Sequence, residues 1–231
     1  MQRQPFGGWK RSAIGQTAKA GGPHYLLHLQ DLADSASVPS RTEDPQAWLE
    51  AARASDREEI DGFFAPRDEQ EVHGEINLLR HLPLPVMVRA ADGTTTAELE
   101  RVLHAARTAG AEVEVSVADE ALLPIARAVG AGTSVPVTVV HEDAATFAAR
   151  IGRLAQRRVR VIGEVDDALR DAHAQRVEVA LFTGPVLASG RVELLTFLQE
   201  QAISATNHRY GNPLPHPLDP TGGRGWARGP R

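Results

Sequence analysis

Between residues 72 and 206 the chain alternates short apolar runs with amphipathic stretches, and this alternation constrains the fold more than any other feature. Runs at 85–88, 113–117, 135–140, 159–162 and 177–182 are rich in Val, Ile and Leu. Each is short enough for a strand buried on both faces. The stretches between them, at 95–109, 120–129, 144–155 and 167–175, carry apolar residues at helical spacing. Strand–helix–strand units are right-handed and lay successive strands parallel, so the pattern predicts a parallel sheet covered on both faces. The expected class is α/β, a Rossmann-like three-layer domain. Local signals agree with it. Thr95 and Glu98 are spaced as a capping box, Leu99, Val102, Leu103 and Ala106 share one helix face, and Gly110 follows as a stop. Ser189 is expected to cap a last helix carrying Val192, Leu195 and Leu198, with 203–205 closing the sheet.

Upstream, the text changes character. Gln4-Pro5-Phe6-Gly7-Gly8-Trp9-Lys10-Arg11-Ser12-Ala13-Ile14-Gly15 and Lys19-Ala20-Gly21-Gly22-Pro23-His24-Tyr25-Leu26 are dense in glycine yet hold large apolar side chains. Glycine permits tight turns and close backbone approach at an entropic cost, so such a segment needs a scaffold to hold it. Residues 25–29 then read as a short strand or as a run along a partner surface, and 31–41 as a linker. Asp44 and Pro45 mark a helix start, with the helix running to about Arg53. The acidic groups at 56–59 and 69–71 are expected to be solvated charge. Beyond 213 the chain is rich in proline and glycine and is expected to be disordered.

The glycine-dense words resemble the C-terminal end of the catalytic domain in aldehyde dehydrogenases, and Lys19-Ala20-Gly21-Gly22-Pro23 is similar to the subgroup acting on L-glutamate γ-semialdehyde. Gly74-Glu75-Ile76-Asn77-Leu78-Leu79-Arg80 with Leu82-Pro83, and later Glu200-Gln201-Ala202-Ile203-Ser204, resemble the extra C-terminal domain of the bifunctional proline utilization A family. Asn207-His208-Arg209-Tyr210-Gly211-Asn212 departs from the family's closing motif. The resemblance implies four parts: residues 1–30 as a remnant of the aldehyde dehydrogenase catalytic domain, 31–71 as linker and helix, 72–213 as a non-catalytic α/β domain, and 214–231 as tail. It implies a parent that uses NAD for aldehyde oxidation and FAD for proline oxidation. The remainder of that parent would be this chain's partner, with a homo-oligomer left open. The competing reading is a free-standing α/β module that binds a nucleotide or another small ligand.

Composition narrows the chemistry. The chain of 231 residues has no cysteine, so the thiolate nucleophile of an aldehyde dehydrogenase is absent from it. A net charge of −5 without an evident basic face argues against nucleic acid as partner. No apolar run reaches membrane-spanning length and no signal peptide opens the chain, so a cytoplasmic protein is expected. Phe6, with Gly7 and Gly8, matches the resemblance's substrate-pocket segment, the alternative being a plug that holds the loop. Thr183 and Gly184 follow a strand and precede a helix, where a nucleotide phosphate would sit. The turn lacks a G-x-G-x-x-G pattern and is expected to be vestigial, with no cofactor held by this chain. His24 and His28 are four apart, but with no third ligand in view they read as loop histidines, and no metal is expected. His104 is expected to be half-exposed on its helix.

Overall fold

The computed structural model describes residues 5–8, 19–68, 72, 75–131, 136–154, 158–176, 178–206, 208–209 and 212–213. Within them, five parallel strands form the central sheet: β2 (Val86–Ala90), β3 (Val113–Val117), β4 (Val137–His141), β5 (Arg158–Ile162) and β6 (Ala180–Phe182). Their order across the sheet is β4-β3-β2-β5-β6. Chain order runs outward from β2 to β4, then returns to place β5 against β2, which is the doubly wound arrangement.

The connections are α2 (Thr96–Ala109), α3 (Leu123–Gly130), α4 (Ala144–Ile151) and α5 (Asp167–Ala174). On α2 the capping box forms as the sequence predicts, and Gly110 ends the helix in the left-handed conformation with φ 69°. Leu99, Val102, Leu103 and Ala106 bury their shared face against Val86, Val88, Val113 and Val115. Full burial of each larger side chain contributes about 1.5–3 kcal/mol. Phe147 and Ile151 of α4 and Leu169 of α5 pack on Met87, Val159 and Val161 from the opposite face. The sheet is therefore a middle layer with a core on each side.

Several expectations are corrected. The helix beginning at Asp44 and Pro45, α1, spans Pro45–Asp61 and does not end near Arg53. Trp48, Leu49, Ala52 and Asp56 form its buried face, so Asp56 is core rather than solvated charge. Residues Tyr25–Leu29 are a 3-10 helix rather than a strand. The last helix, α6, is only Gly190–Glu193, and Ser189 makes no side-chain cap bond. Leu198 instead opens β7 (Leu198–Thr206), which pairs antiparallel with β1 (Glu75–Pro83) from Glu75 opposite Thr206 to Pro83 opposite Leu198. This two-stranded ladder is separate from the central sheet, so 203–205 does not close that sheet. Of the 207–212 motif, His208–Arg209 pairs with Asn212–Pro213, while 207, 210 and 211 lie outside the described residues, as do 9–18, 69–71 and the tail from 214.

Candidate functional site

In a doubly wound sheet, ligands bind where the strand order reverses, at the carboxyl ends of the two strands flanking that point. Here those strands are β2 and β5, whose carboxyl ends bring Ala91–Thr95 against Gly163–Glu164. The sequence, which carries no strand order, points instead to Thr183 and Gly184, after β6. At the reversal the two strand ends are stitched together. Ala91 N–H donates to the Ile162 carbonyl at 2.9 Å, and Glu164 N–H donates to the Asp92 carbonyl at 2.8 Å. Thr94 Oγ1 donates to the carbonyls of Ala91 and Ile162 at 2.7 and 2.8 Å. Gly163 has φ +85°, and a Cβ there would fall 2.4 Å from the Asp92 carbonyl oxygen. The N-terminus of α2 faces this seam, and Glu98 accepts the Thr95 N–H at 3.0 Å. Arg41 reaches the same carboxylate at 2.8 Å. The capping box thus occupies the N–H groups of Thr95 and Glu98 at this helix N-terminus, the first through the Glu98 carboxylate and the second through Thr95 Oγ1.

The turn from Thr183 to Ser189 follows the same rule. Leu187 N–H donates to Glu193 Oε2 at 3.3 Å and Ala188 N–H to Asp34 Oδ1 at 2.8 Å. Gly190 N–H is taken by Ser55 Oγ at 2.9 Å. The carbonyls of Gly184 and Pro185 accept from the Arg160 guanidinium, which also meets Glu193 through Nε at 2.8 Å. Arg160 and Glu193 are both buried. Gly184 has open space where a Cβ would be added. Nearby, a cavity of about 450 Å³ lies between Leu27, Asp31 and Leu32 on one side and Phe182, Pro185 and Leu195 on the other.

Around these turns buried charge fastens the helices. Arg101, 1% exposed, donates through both terminal nitrogens to Asp56 at 2.8 Å each, and through Nε to the Leu187 carbonyl at 2.9 Å. Gly190 lets α6 sit on α1, since a Cβ there would lie 2.7 Å from the Ser55 carbonyl. On β5 the apolar residues Val159 and Val161 face one core, whereas Arg158 and Arg160 are buried on the other side of the strand. Arg158 Nη1 donates to the carbonyls of Leu195, Thr196 and Leu198, and burial lowers its pKa to about 10.

The N-terminal segment is anchored rather than loose. Phe6 and Ala20 exchange both backbone hydrogen bonds, at 3.0 and 2.9 Å, and Lys19 Nζ donates to the Gly7 carbonyl at 2.5 Å. Lys19 N–H donates to Glu200 Oε2 on β7 at 2.8 Å. Gly21 turns with φ +73°, and a Cβ on Gly22 would fall 2.9 Å from Glu200 Oε1. Phe6 itself is 83% exposed and does not act as a plug among the described residues, while Gly7 is exposed and Gly8 half-buried. His24, expected on a loop surface, is 1% exposed. Its ring stacks on Phe64 and meets His81 edge-on. The side chain of His28 lies outside the described residues. His104 is half-buried, as expected, and its pKa is lowered by burial and by Arg53.

His24, His81 and Glu200 converge from three separate segments. His24 Nε2 stands 3.0 Å from His81 Nε2 and 3.7 Å from Glu200 Oε1. His81 Nδ1 lies 3.3 Å from the Phe64 carbonyl, which fixes the proton on Nδ1 and leaves Nε2 as the acceptor of His24 Nε2–H. Burial lowers the His81 pKa to about 4 and raises that of Glu200, the latter opposed by the Lys19 N–H.

A five-stranded parallel sheet with helices on both faces, in this order, is a Rossmann-like fold of the dehydrogenase kind. No family model and no curated protein matches the sequence. Among solved structures, proline utilization A (PutA) from Corynebacterium freiburgense is similar over 90% of this chain, with TM-score 0.62 and 28% identity. This chain spans 19% of that chain's length. Histidinol dehydrogenase from Elizabethkingia anophelis is similar over 58% of this chain and 34% of the other, at TM-score 0.43 and 11% identity. The likeness to PutA relates the chain to a proline-utilization protein. No helix among the described residues is long and apolar enough to cross a membrane.

Proposed function

We propose that this chain is the C-terminal part of an NAD-dependent L-glutamate γ-semialdehyde (1-pyrroline-5-carboxylate) dehydrogenase of proline catabolism. In that reading it supplies a terminal glycine-rich loop and a non-catalytic scaffold, and is inactive alone. The observation that carries the reading is the likeness to PutA, which extends over 90% of this chain but only 19% of the other. Two features support it. At both places where a dinucleotide phosphate would sit, N–H groups are engaged by the chain's own side chains: Thr95 by Glu98, Leu187 by Glu193, Ala188 by Asp34 and Gly190 by Ser55. The N-terminal segment exposes Phe6, Tyr25, Leu26 and Leu29, apolar surface that the rest of a parent enzyme would cover. The cytoplasm is the proposed compartment.

The test is to read the gene upstream in the same frame and to assay the purified chain. The reading expects dehydrogenase sequence with its nucleophilic cysteine, and no NAD reduction with the γ-semialdehyde by these 231 residues alone. Turnover that survives repurification would overturn it. The alternative is a free-standing module for a small ligand, favoured by the 450 Å³ cavity beside Phe182 and Pro185.

A further inference from the structure

We propose that His24, His81 and Glu200 form a binding site for a divalent transition-metal ion of the zinc type, which staples the N-terminal segment to the β1–β7 ladder. The inference does not depend on the dehydrogenase reading. Two imidazoles and a carboxylate are a donor set suited to such an ion, and all three donor atoms lie within 4.8 Å of one another. His81 is oriented as metal-ligating histidines are: its Nδ1 side is held by the Phe64 carbonyl, so Nε2 presents a lone pair to the cluster. Glu200 is 5% exposed, and its Oε1 has no hydrogen-bond partner among the described residues. Leaving a buried carboxylate oxygen in that condition is costly, and a cation between Oε1 and the two Nε2 atoms would satisfy it.

The geometry is close to a ligated one without being identical to it. Metal–nitrogen bonds of about 2.0–2.1 Å in a tetrahedron separate the donors by roughly 3.3 Å. The His24–His81 pair at 3.0 Å has to open slightly, and the 3.7 Å contact to Glu200 has to tighten. The remaining edge, within 4.8 Å, closes by up to about 1.5 Å, a displacement within reach of side-chain rotation. On ligation His24 takes its other neutral tautomer, with the proton on Nδ1 in place of Nε2, so that both histidines present Nε2 to the ion. Three protein donors leave one position for water. The three ligands come from the glycine-rich segment, β1 and β7, so the ion would tie that segment to the paired strands beside the Lys19–Glu200 contact.

The experiment uses the full chain after chelator treatment. Zinc is titrated calorimetrically, cobalt is followed by its visible d–d absorption, and tryptic cleavage after Lys19 is timed with and without zinc. His24→Gln, His81→Gln and Glu200→Gln are compared with a control lacking His104 and His141. The expected result is one-to-one zinc binding at micromolar dissociation constant or tighter, weakened at least about 100-fold in each ligand variant and unchanged in the control. Cobalt should give the intense bands of a four-coordinate ion, and zinc should slow cleavage after Lys19. The cobalt spectrum and the cleavage rate are read on the unaltered protein, so they decide the matter even where a variant fails to fold. Binding no tighter than millimolar, binding that follows the control histidines, a spectrum of the solvated ion, or unchanged cleavage would each overturn the proposal.

Discussion

Asp34 accepts the backbone N–H of Ala188, 154 residues further along the chain, at 2.8 Å, while its other oxygen accepts the indole N–H of Trp48 at 2.8 Å. One carboxylate thus joins the segment before α1, the core tryptophan of that helix and the turn that precedes α6. Replacing it leaves two buried donors without their acceptor. Asp34→Ala is expected to cost about 2–3 kcal/mol of stability, measured by urea denaturation followed through Trp48 fluorescence. A loss below about 0.5 kcal/mol would place water, not Asp34, as the effective acceptor.

The Asp56–Arg101 pair makes a sharper case, since both side chains are 1% exposed and doubly hydrogen-bonded. Removing one partner strands a buried charge. Asp56→Ala should destabilise by about 3–5 kcal/mol, whereas the double replacement Asp56→Leu with Arg101→Met should recover much of that loss. Equal effects of the single and double variants would contradict the account.

Two glycines on the candidate sites should respond to very different extents. At Gly163 the backbone is left-handed and a Cβ would strike the Asp92 carbonyl, so Gly163→Ala should cost about 2 kcal/mol or more. Gly184 has open space around it, and Gly184→Ala should stay within about 0.5 kcal/mol of the parent. Thermal unfolding of the two variants side by side checks the contrast.

Acid should loosen the anchor at His81. Its folded-state pKa, about 4, lies below the value of about 6.5 expected in the unfolded chain. A depressed histidine contributes stability that is fully present above pH ~6.5 and is lost as pH falls towards 4, up to about 3 kcal/mol. The groups facing it are His24, Glu200, Arg67 and Arg191, of which the two arginines also disfavour the imidazolium. Denaturation in chelator between pH 7 and 4 should show this component, and His81→Gln should remove it. An identical pH slope in both proteins would assign the acid sensitivity to another group.

The sheet was legible because its strands and helices alternate at periods that only a parallel α/β layer satisfies, and the Thr95–Glu98 cap was legible because both of its contacts are local. Strand order was not, since nothing in a β-branched run states its neighbour. From the sequence alone a phosphate site is therefore expected at the turn after Thr183, whereas the strand order puts the reversal at Ala91–Thr95. The β1–β7 ladder was missed for a related reason: its strands lie far apart in sequence, and Asn77, Gln199 and Glu200 are buried in it along with apolar residues. Asp56 carried a usable signal, standing at helical spacing from Trp48, Leu49 and Ala52, as did Arg158 and Arg160 at alternate positions of a strand. Histidine convergence at His24 depended on tertiary contacts alone. The 3-10 turn at Tyr25–Leu29 mimics a strand in composition, yet Leu26 and Leu29 remain largely exposed.

The central claim of the proposed function is that this α/β domain, whose candidate phosphate turns bind the chain's own side chains, holds no nucleotide and serves as a scaffold. Calorimetric titration of NAD into the full chain tests it most directly. The account predicts no binding tighter than about millimolar, which corresponds to roughly −4 kcal/mol. A micromolar dissociation constant that is lost when Gly184 is replaced by a bulky residue would contradict it and make the domain a working cofactor site.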